Sequence, residues 1–165
     1  RGASGGVGSC AVQIAKSLGA HVTGLSSAQN LPWLDELGAD RALDYRATDL
    51  TALDPFDLIF DVHGELPWST ARTILSRRGV YLTLTPSFRG AVAGPLTRML
   101  GGRVRTQMLV SPSAEDMHAL ATMLAEGSLV SPLRECLPLE HASSAHTRIE
   151  GGHTVGKIVL EPSSL

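Results

Sequence analysis

Four glycines crowd the seven residues Gly2-Ala3-Ser4-Gly5-Gly6-Val7-Gly8, and they run straight into an amphipathic helix. On that helix Val7, Ala11, Ile14 and Leu18 recur at spacings of four, three and four, which makes one apolar stripe, and Gly19 stops it. Glycine loses more conformational freedom on folding than any other residue, so such a turn costs backbone entropy that an ordinary connection avoids. The cost is offset where main chain must approach a ligand closely. A glycine-rich turn ahead of a helix brings backbone amides up to a pyrophosphate, at the positive end of the helix dipole. The strict pattern G-x-G-x-x-G is met at Gly5 and Gly8, with Ala3 in place of the first glycine. A tight strand-to-helix turn with no ligand is the plainer alternative.

The order of elements supplies the context that the motif needs. Residues 21–25 read as a short buried strand; Asn30 caps a second helix with Pro32 in its first turn and Gly38 at its end. Residues 41–45 read as a third strand, followed by a polar loop over 46–55. The run 56–62 is apolar enough for burial on both faces. Helix is predicted over 67–77, strand over 79–85 and 104–110, and helix over 114–126 up to Gly127. Strands alternating with helices through short connections predict an α/β fold with a doubly wound parallel sheet. The tail breaks the alternation: a strand over 133–137, a helix over 139–149 and a strand over 156–160. The chain therefore divides into a dinucleotide-binding domain, 1–129, and a C-terminal strand-helix-strand segment, 130–165.

Composition narrows the partners. The 165 residues carry 16 acidic and 14 basic side chains, a net charge of -2, which gives no electrostatic case for nucleic acid or an anionic membrane surface. At 43% hydrophobic and 18% charged residues the chain can build a core and is not of disordered composition. Cys10 and Cys136 are too few for a disulfide framework or a cysteine-based zinc site within these residues. No apolar run approaches the roughly 18 residues that span a bilayer. No N-terminal stretch reads as a signal peptide, so a soluble, cytoplasmic domain is expected.

The choice of nucleotide rests on what is absent near the second strand. Selection of NAD uses an Asp or Glu about 20 residues beyond the glycines, on the ribose 2′-hydroxyl. Counting 21 residues from Gly5 reaches Ser26, and the first acidic residue of the chain is Asp35. Ser26, Ser27, Gln29 and Asn30 make that loop neutral and hydrogen-bonding, which tolerates the 2′-phosphate of NADP. Arg46, after the third strand and beside Tyr45, is the nearest cation, although a solvated strand end explains that pair nearly as well.

Other chemistries fit less well. Gly2-Ala3-Ser4-Gly5-Gly6 also matches the G-x-S-x-G nucleophile elbow of hydrolases, with Asp116 and His146 in the matching order. That elbow follows several strands, needs an oxyanion-hole segment that is lacking, and gives Gly8 no role. Gly156-Lys157 precedes Ile158, not Ser or Thr, so it is no phosphate loop. His141, His146 and His153 do not share one helical face and have no carboxylate or thiol to complete a metal set. Cys10 and Cys136 read as small core residues, and Trp33 and Trp68 as packing groups. No catalytic acid, base or nucleophile is nominated.

Gly2 to Ser9 with Ala11-Val12-Gln13-Ile14-Ala15-Lys16 resembles the medium-chain dehydrogenase/reductase superfamily, most closely its zinc-independent quinone oxidoreductase branch. The likeness continues through Leu37-Gly38-Ala39-Asp40, Asp44-Tyr45-Arg46, Phe56-Asp57, Asp61-Val62, Arg78-Gly79 and Gly151-Gly152-His153 to Gly156-Lys157-Ile158-Val159-Leu160, nearly the whole chain. It implies a Rossmann-like NAD(P)-binding fold whose first strand lies before Gly2. Ser4, Gly5, Gly6, Val7 and Gly8 would follow the pyrophosphate; Ser26, Ser27, Asn30, Tyr45 and Arg46 would surround the adenosine 2′-phosphate. Val62, His63, Thr85 and Leu109 would pass the nicotinamide, and Lys157 would close over it. Asn30 and Gln29 stand where many relatives carry lysine or arginine. His63 replaces a small or β-branched residue and reads first as a strand-end histidine. The activity implied is hydride transfer from NADPH to a quinone, enone or enal. The catalytic half would precede the glycine motif and receive residues 130–165, and the sheet edge at 104–110 would make a homodimer. The alternatives are the enoyl reductase or zinc alcohol dehydrogenase branches, and a module that binds cofactor or a partner without turnover.

Overall fold

A computed structural model describes residues 1–85, 103–107, 111–152 and 154–162. In chain order the elements are α1 (Gly8–Ser17), β1 (Thr23–Ser26), α2 (Leu31–Glu36), β2 (Arg41–Asp44), β3 (Phe56–Asp61), α3 (Trp68–Ala71), β4 (Leu75–Thr83), β5 (Val104–Gln107), α4 (Ala114–Ala125), β6 (Leu133–Pro138), α5 (Ala142–Glu150) and β7 (Lys157–Glu161). They fall into two compact units: a three-strand unit of Arg1–Gly2 with Asp44–Pro112, and a glycine-turn unit of Ala3–Leu43 with Ser113–Leu165.

In the three-strand unit the sheet order is β3-β4-β5 and both pairings are parallel, Asp61 lying beside Thr83 and Val80 beside Val104. Ile59, Leu66, Ala71, Ile74, Leu75 and Tyr81 form its core, with Trp68 edge-on to Tyr81 at 6.1 Å between ring centres. The expected helix over 67–77 is one turn, α3, because β4 already begins at Leu75. Phe56 N–H donates to Ile74 O at 2.8 Å and Leu75 is fully buried, so sheet pairing and burial override helix propensity there. A residue at Gly79 bearing a Cβ would press on Leu75 and the Phe56 carbonyl, both within 2.9 Å, at the bulge where the register shifts. The run 56–62 is buried on one face only: Ile59 and Asp61 point inward, while Leu58 is 57% exposed.

In the glycine-turn unit β1 pairs with β2, and β6 pairs parallel with β7, Cys136 beside Val159. Ala3, Val12, Leu34 and Leu37 form the core, with Val22, Leu31 and Trp33 packed on it. Cys136, read from sequence as a core residue, is exposed on β6, whereas Cys10 is half-buried. The described strands group as sheets of two, three and two strands with helices between them, in keeping with the expected α/β class. Ahead of the glycine turn, Arg1 pairs along the end of β3, its N-terminal nitrogen donating to Phe60 O at 2.7 Å and its carbonyl accepting from Val62 N–H at 3.3 Å; in the other unit Ala3 N–H donates to Leu25 O at 3.1 Å.

Tyr81 is fully buried, and its hydroxyl donates to Asp61 Oδ2 at 2.9 Å. Burial, and then the Asp61 charge, push the phenol from 10.0 up to about 12. A raised folded-state value stabilises the fold while the phenol is protonated. That contribution is intact below pH 10 and is lost as pH rises through about 12. Unfolding midpoints measured across this range are expected to fall, and Tyr81→Phe is expected to flatten that alkaline decline.

Candidate cofactor site

The glycine turn is built from both ends of its own unit. Gly156 N–H donates to Ser4 O at 2.8 Å, Gly5 and Gly156 form a parallel bridge, and Lys157 N–H donates to Pro132 O at 2.8 Å. The start of β7 is therefore an added strand along the turn. Lys157 Nζ lies 3.0 Å from where a Cβ on Gly6 would stand, so the ammonium covers the glycine backbone and any side chain at 6 would displace it. The first turn of α1 holds no acidic residue and no side chain caps it. A cation, a glycine cradle and an uncapped helix start together suit a pyrophosphate.

The hydroxyl cluster beside the turn is also within this unit. Ser4 Oγ and Ser26 Oγ are 2.6 Å apart, and Asn30 Nδ2 donates to the Ser4, Ser26 and Ser27 hydroxyls at 3.3, 3.3 and 3.0 Å. Asn30 does stand at the N-cap of α2, but its side chain caps nothing; the serines take its donors instead. Ser4 and Ser26 are buried, while Ser27 and Asn30 are half-buried. The Ser4 hydroxyl thus has serine and asparagine partners, and Asp116 accepts from Ser113 at the start of α4. That arrangement removes the nucleophile-elbow alternative, which requires an imidazole on Ser4.

Ser9 and Gln13, to which the sequence assigned no site role, and Trp33, expected only to pack, brace the turn and its helix. Ser9, fully buried, donates to Gly5 O at 2.8 Å, and the Trp33 indole N–H reaches the Ser9 hydroxyl at 3.4 Å. Gln13 donates to Val130 O at 3.0 Å and accepts from Val130 N–H at 2.8 Å, pairing as a strand backbone would. A polar Gln within the buried side of an amphipathic helix was the available signal for this last contact.

In the three-strand unit the Tyr45 ring lies between two guanidiniums, Arg46 Cζ at 5.4 Å and Arg1 Cζ at 5.6 Å from its centre. The turns after β3 and β4 interlock: Thr85 Oγ1 donates to His63 O at 2.7 Å, and Gly64, at φ +70°, packs on Thr83 and Thr85. Val62 and His63 are carried on the first of these turns and Thr85 on the second. Leu109 and His153 lie outside the described residues.

Residues 37–160 match the family model described as zinc-binding dehydrogenase. This chain belongs to that family. The resemblance to the medium-chain dehydrogenase/reductase superfamily and its quinone oxidoreductases holds across the chain. Quinone-oxidoreductase QR1, chloroplastic, of Triphysaria versicolor is 32% identical over 97% of this chain and 50% of its own length. The chloroplastic homologue of Spinacia oleracea is 34% identical over the same shares. The mitochondrial NAD(P)H oxidoreductase RTN4IP1 of Homo sapiens is 28% identical, over 96% of this chain and 46% of its own length. Among solved structures, the quinone oxidoreductase from Coxiella burnetii superposes with a TM-score of 0.80 at 26% identity, covering 96% of this chain and 50% of that one. The Escherichia coli quinone oxidoreductase complexed with NADPH gives 0.74 at 26% identity, covering 97% and 55%. These neighbours make the fold a Rossmann-like NAD(P)-binding α/β domain. The chain spans about half the length of the curated relatives it matches.

Two points follow. The expected cytoplasmic placement is not upheld: the curated relatives from Triphysaria versicolor and Spinacia oleracea are chloroplastic and that from Homo sapiens is mitochondrial. The absence of a readable signal peptide was a poor basis, because these residues match only about half of each relative. Despite the family's name, no group of three or more His, Cys, Asp or Glu among the described residues is placed to hold a metal ion, so they do not fit a zinc site. No helix among them is long and apolar enough to cross a membrane.

Proposed function

We propose that this chain is the cofactor-binding half of an NADPH-dependent oxidoreductase that reduces a quinone, enone or enal. The observation that carries the reading is the glycine turn braced by β7, with the Lys157 ammonium laid over Gly6. Gly5, Gly6, Val7 and Gly8 approach the pyrophosphate through their backbone, which Ser4 and Ser9 hold in shape, and Lys157 neutralises its charge. Ser27 and Asn30 bond the 2′-phosphate, with the buried Ser26 and Ser4 fixing them from behind. NADP is preferred over NAD because no acidic residue precedes Asp35. Tyr45 and Arg46 add a cationic phosphate contact, and Val62, His63, Thr85 and Leu109 contact the nicotinamide. The cofactor, when bound, supplies the hydride. The protein orients it and keeps its charged end in place.

The tail, 130–165, packs on the portion of the relatives' length that this chain does not span; its exposed Val130, Leu133, Leu139, Ile149 and Val159 support that role. β5 is the last strand of its sheet among the described residues, which favours a homodimer through that edge.

Titrating the chain with NADPH and with NADH, followed by Trp33 and Trp68 fluorescence, tests the cofactor choice. NADPH is expected to bind about tenfold or more tightly, a difference of ~1.4 kcal/mol. Equal affinities overturn the preference for NADP, and binding of neither overturns the cofactor reading.

A further inference from the structure

Asp61, the last residue of β3, is a fully buried carboxylate in the three-strand unit. Its Oδ2 accepts from Leu66 N–H at 2.7 Å and from the Tyr81 hydroxyl at 2.9 Å; the same hydroxyl lies 3.3 Å from Leu66 O. Asp61 and Leu66 are thus fastened to each other and to one phenol, and the four residues between them form a closed turn. That turn is Val62-His63-Gly64-Glu65. Its outer side is fixed to the end of β4 by the bond from Thr85 Oγ1 to His63 O and by Gly64, whose φ of +70° and contact with Thr83 leave no room for a Cβ. Two of the inner anchors, the Leu66 N–H and the Tyr81 hydroxyl, converge on the Asp61 carboxylate, while Val62 N–H and Glu65 are held by Arg1.

A buried carboxylate is costly unless its lone pairs are used, and here Oδ1 has no partner among the described residues. A residue kept only to fill core space at this strand position would be apolar. What the carboxylate provides that an apolar side chain cannot is a fixed geometry for the turn carrying Val62 and His63.

We propose that Asp61 is a positioning residue: through Tyr81 and Leu66 it holds the 62–65 turn rigid, so that Val62 and His63 present a preformed surface to the nicotinamide. This rests on the cofactor reading above, for which Val62 and His63 are contacts. Without the carboxylate, the turn must order each time cofactor binds, and that ordering weakens affinity.

Asp61→Ala, Asp61→Asn and wild-type chain would be compared by amide hydrogen exchange and by NADPH titration. Asp61→Ala is expected to speed exchange at residues 62–66 by about tenfold or more and to weaken NADPH binding by a similar factor. Exchange in α1 and β7 should not change. Asparagine keeps an acceptor oxygen for Leu66 N–H and the phenol, so Asp61→Asn is expected to restore both readouts to within about threefold of wild type. Unchanged exchange at 62–66 in Asp61→Ala overturns the proposal, as does weakened binding that Asn fails to rescue. If Asp61→Ala does not fold, Tyr81→Phe removes one anchor while preserving the ring, and the same local change is expected at smaller size. Wild-type chain that binds no NADPH defeats the cofactor reading; the exchange measurement then still reports separately whether Asp61 holds the turn.

Discussion

Gly156→Ala is expected to destabilise the chain by roughly 3 kcal/mol and to abolish most of its NADPH binding. The backbone at Gly156 has φ +60°, the left-handed region in which a side chain costs about 1–2 kcal/mol. Space is the larger obstacle. A Cβ there would overlap the Pro132 carbonyl oxygen and stand 2.6 Å from Arg134 Cγ. The arginine stem can move, but the carbonyl cannot, because it accepts the Lys157 N–H that starts β7. Relief requires β7 to withdraw, which breaks the bond from Gly156 N–H to Ser4 O and carries Lys157 away from Gly6. Gly127→Ala is the control: at φ +75° with nothing within 4 Å of its Cβ, it carries the conformational cost alone, about 1 kcal/mol. Denaturant unfolding gives the two stabilities, and NADPH titration in buffer gives the affinity. A Gly156→Ala variant no less stable than Gly127→Ala would show that β7 is not structurally joined to the turn.

That coupling was only half visible in the sequence. Local signals located α1, β6 and β7 along the chain, but the four-three-four stripe picked the wrong face of α1: Val7 and Leu18 are exposed, and Gly8, Ser9, Val12 and Gln13 are buried. Spacing alone does not say that β7 returns to lie along Gly5, since that contact joins residues about 150 positions apart and is set by tertiary packing. The likeness to a known family supplied the idea that Lys157 closes over the cofactor, and the geometry shows its ammonium over Gly6. Helix was expected over 67–77. Pairing of Leu75 beside Phe56 decided otherwise, and pairing is a property of the sheet, not of the segment. Asn30 shows the same limit for side chains. Its position at the start of α2 was legible, but its amide turns to three serines, one of them, Ser4, 26 residues away. Gln13 was legible as a polar residue in an apolar helix, while its partner, Val130, was not.

Ser27→Asp is expected to lower NADPH affinity by roughly a hundredfold, about 2.7 kcal/mol, and to leave NADH binding equal or improved. The argument is electrostatic and local. Ser26, the residue at the position that selects NAD in this fold, is buried and already bonded to Ser4, so an acid there would damage the turn as well as the preference. Ser27 is half-buried, and its hydroxyl meets only the Asn30 amide among the partners described, at 3.0 Å. A carboxylate at 27 keeps that bond, because Asn30 Nδ2 is a donor. It places a full negative charge beside the proposed 2′-phosphate in a loop whose residues 26–30 include no cation to offset it. Two like charges about 4 Å apart at a protein surface repel by a few kcal/mol. NADH brings a 2′-hydroxyl to the same place, which can donate to the new acid. The two cofactors should therefore diverge while stability stays within about 0.5 kcal/mol of wild type. Equal losses for NADPH and NADH would mean that Ser27 shapes the loop without reading the phosphate. No loss for either would place the adenosine end elsewhere, and Arg46 beside Tyr45 would become the next residue to change.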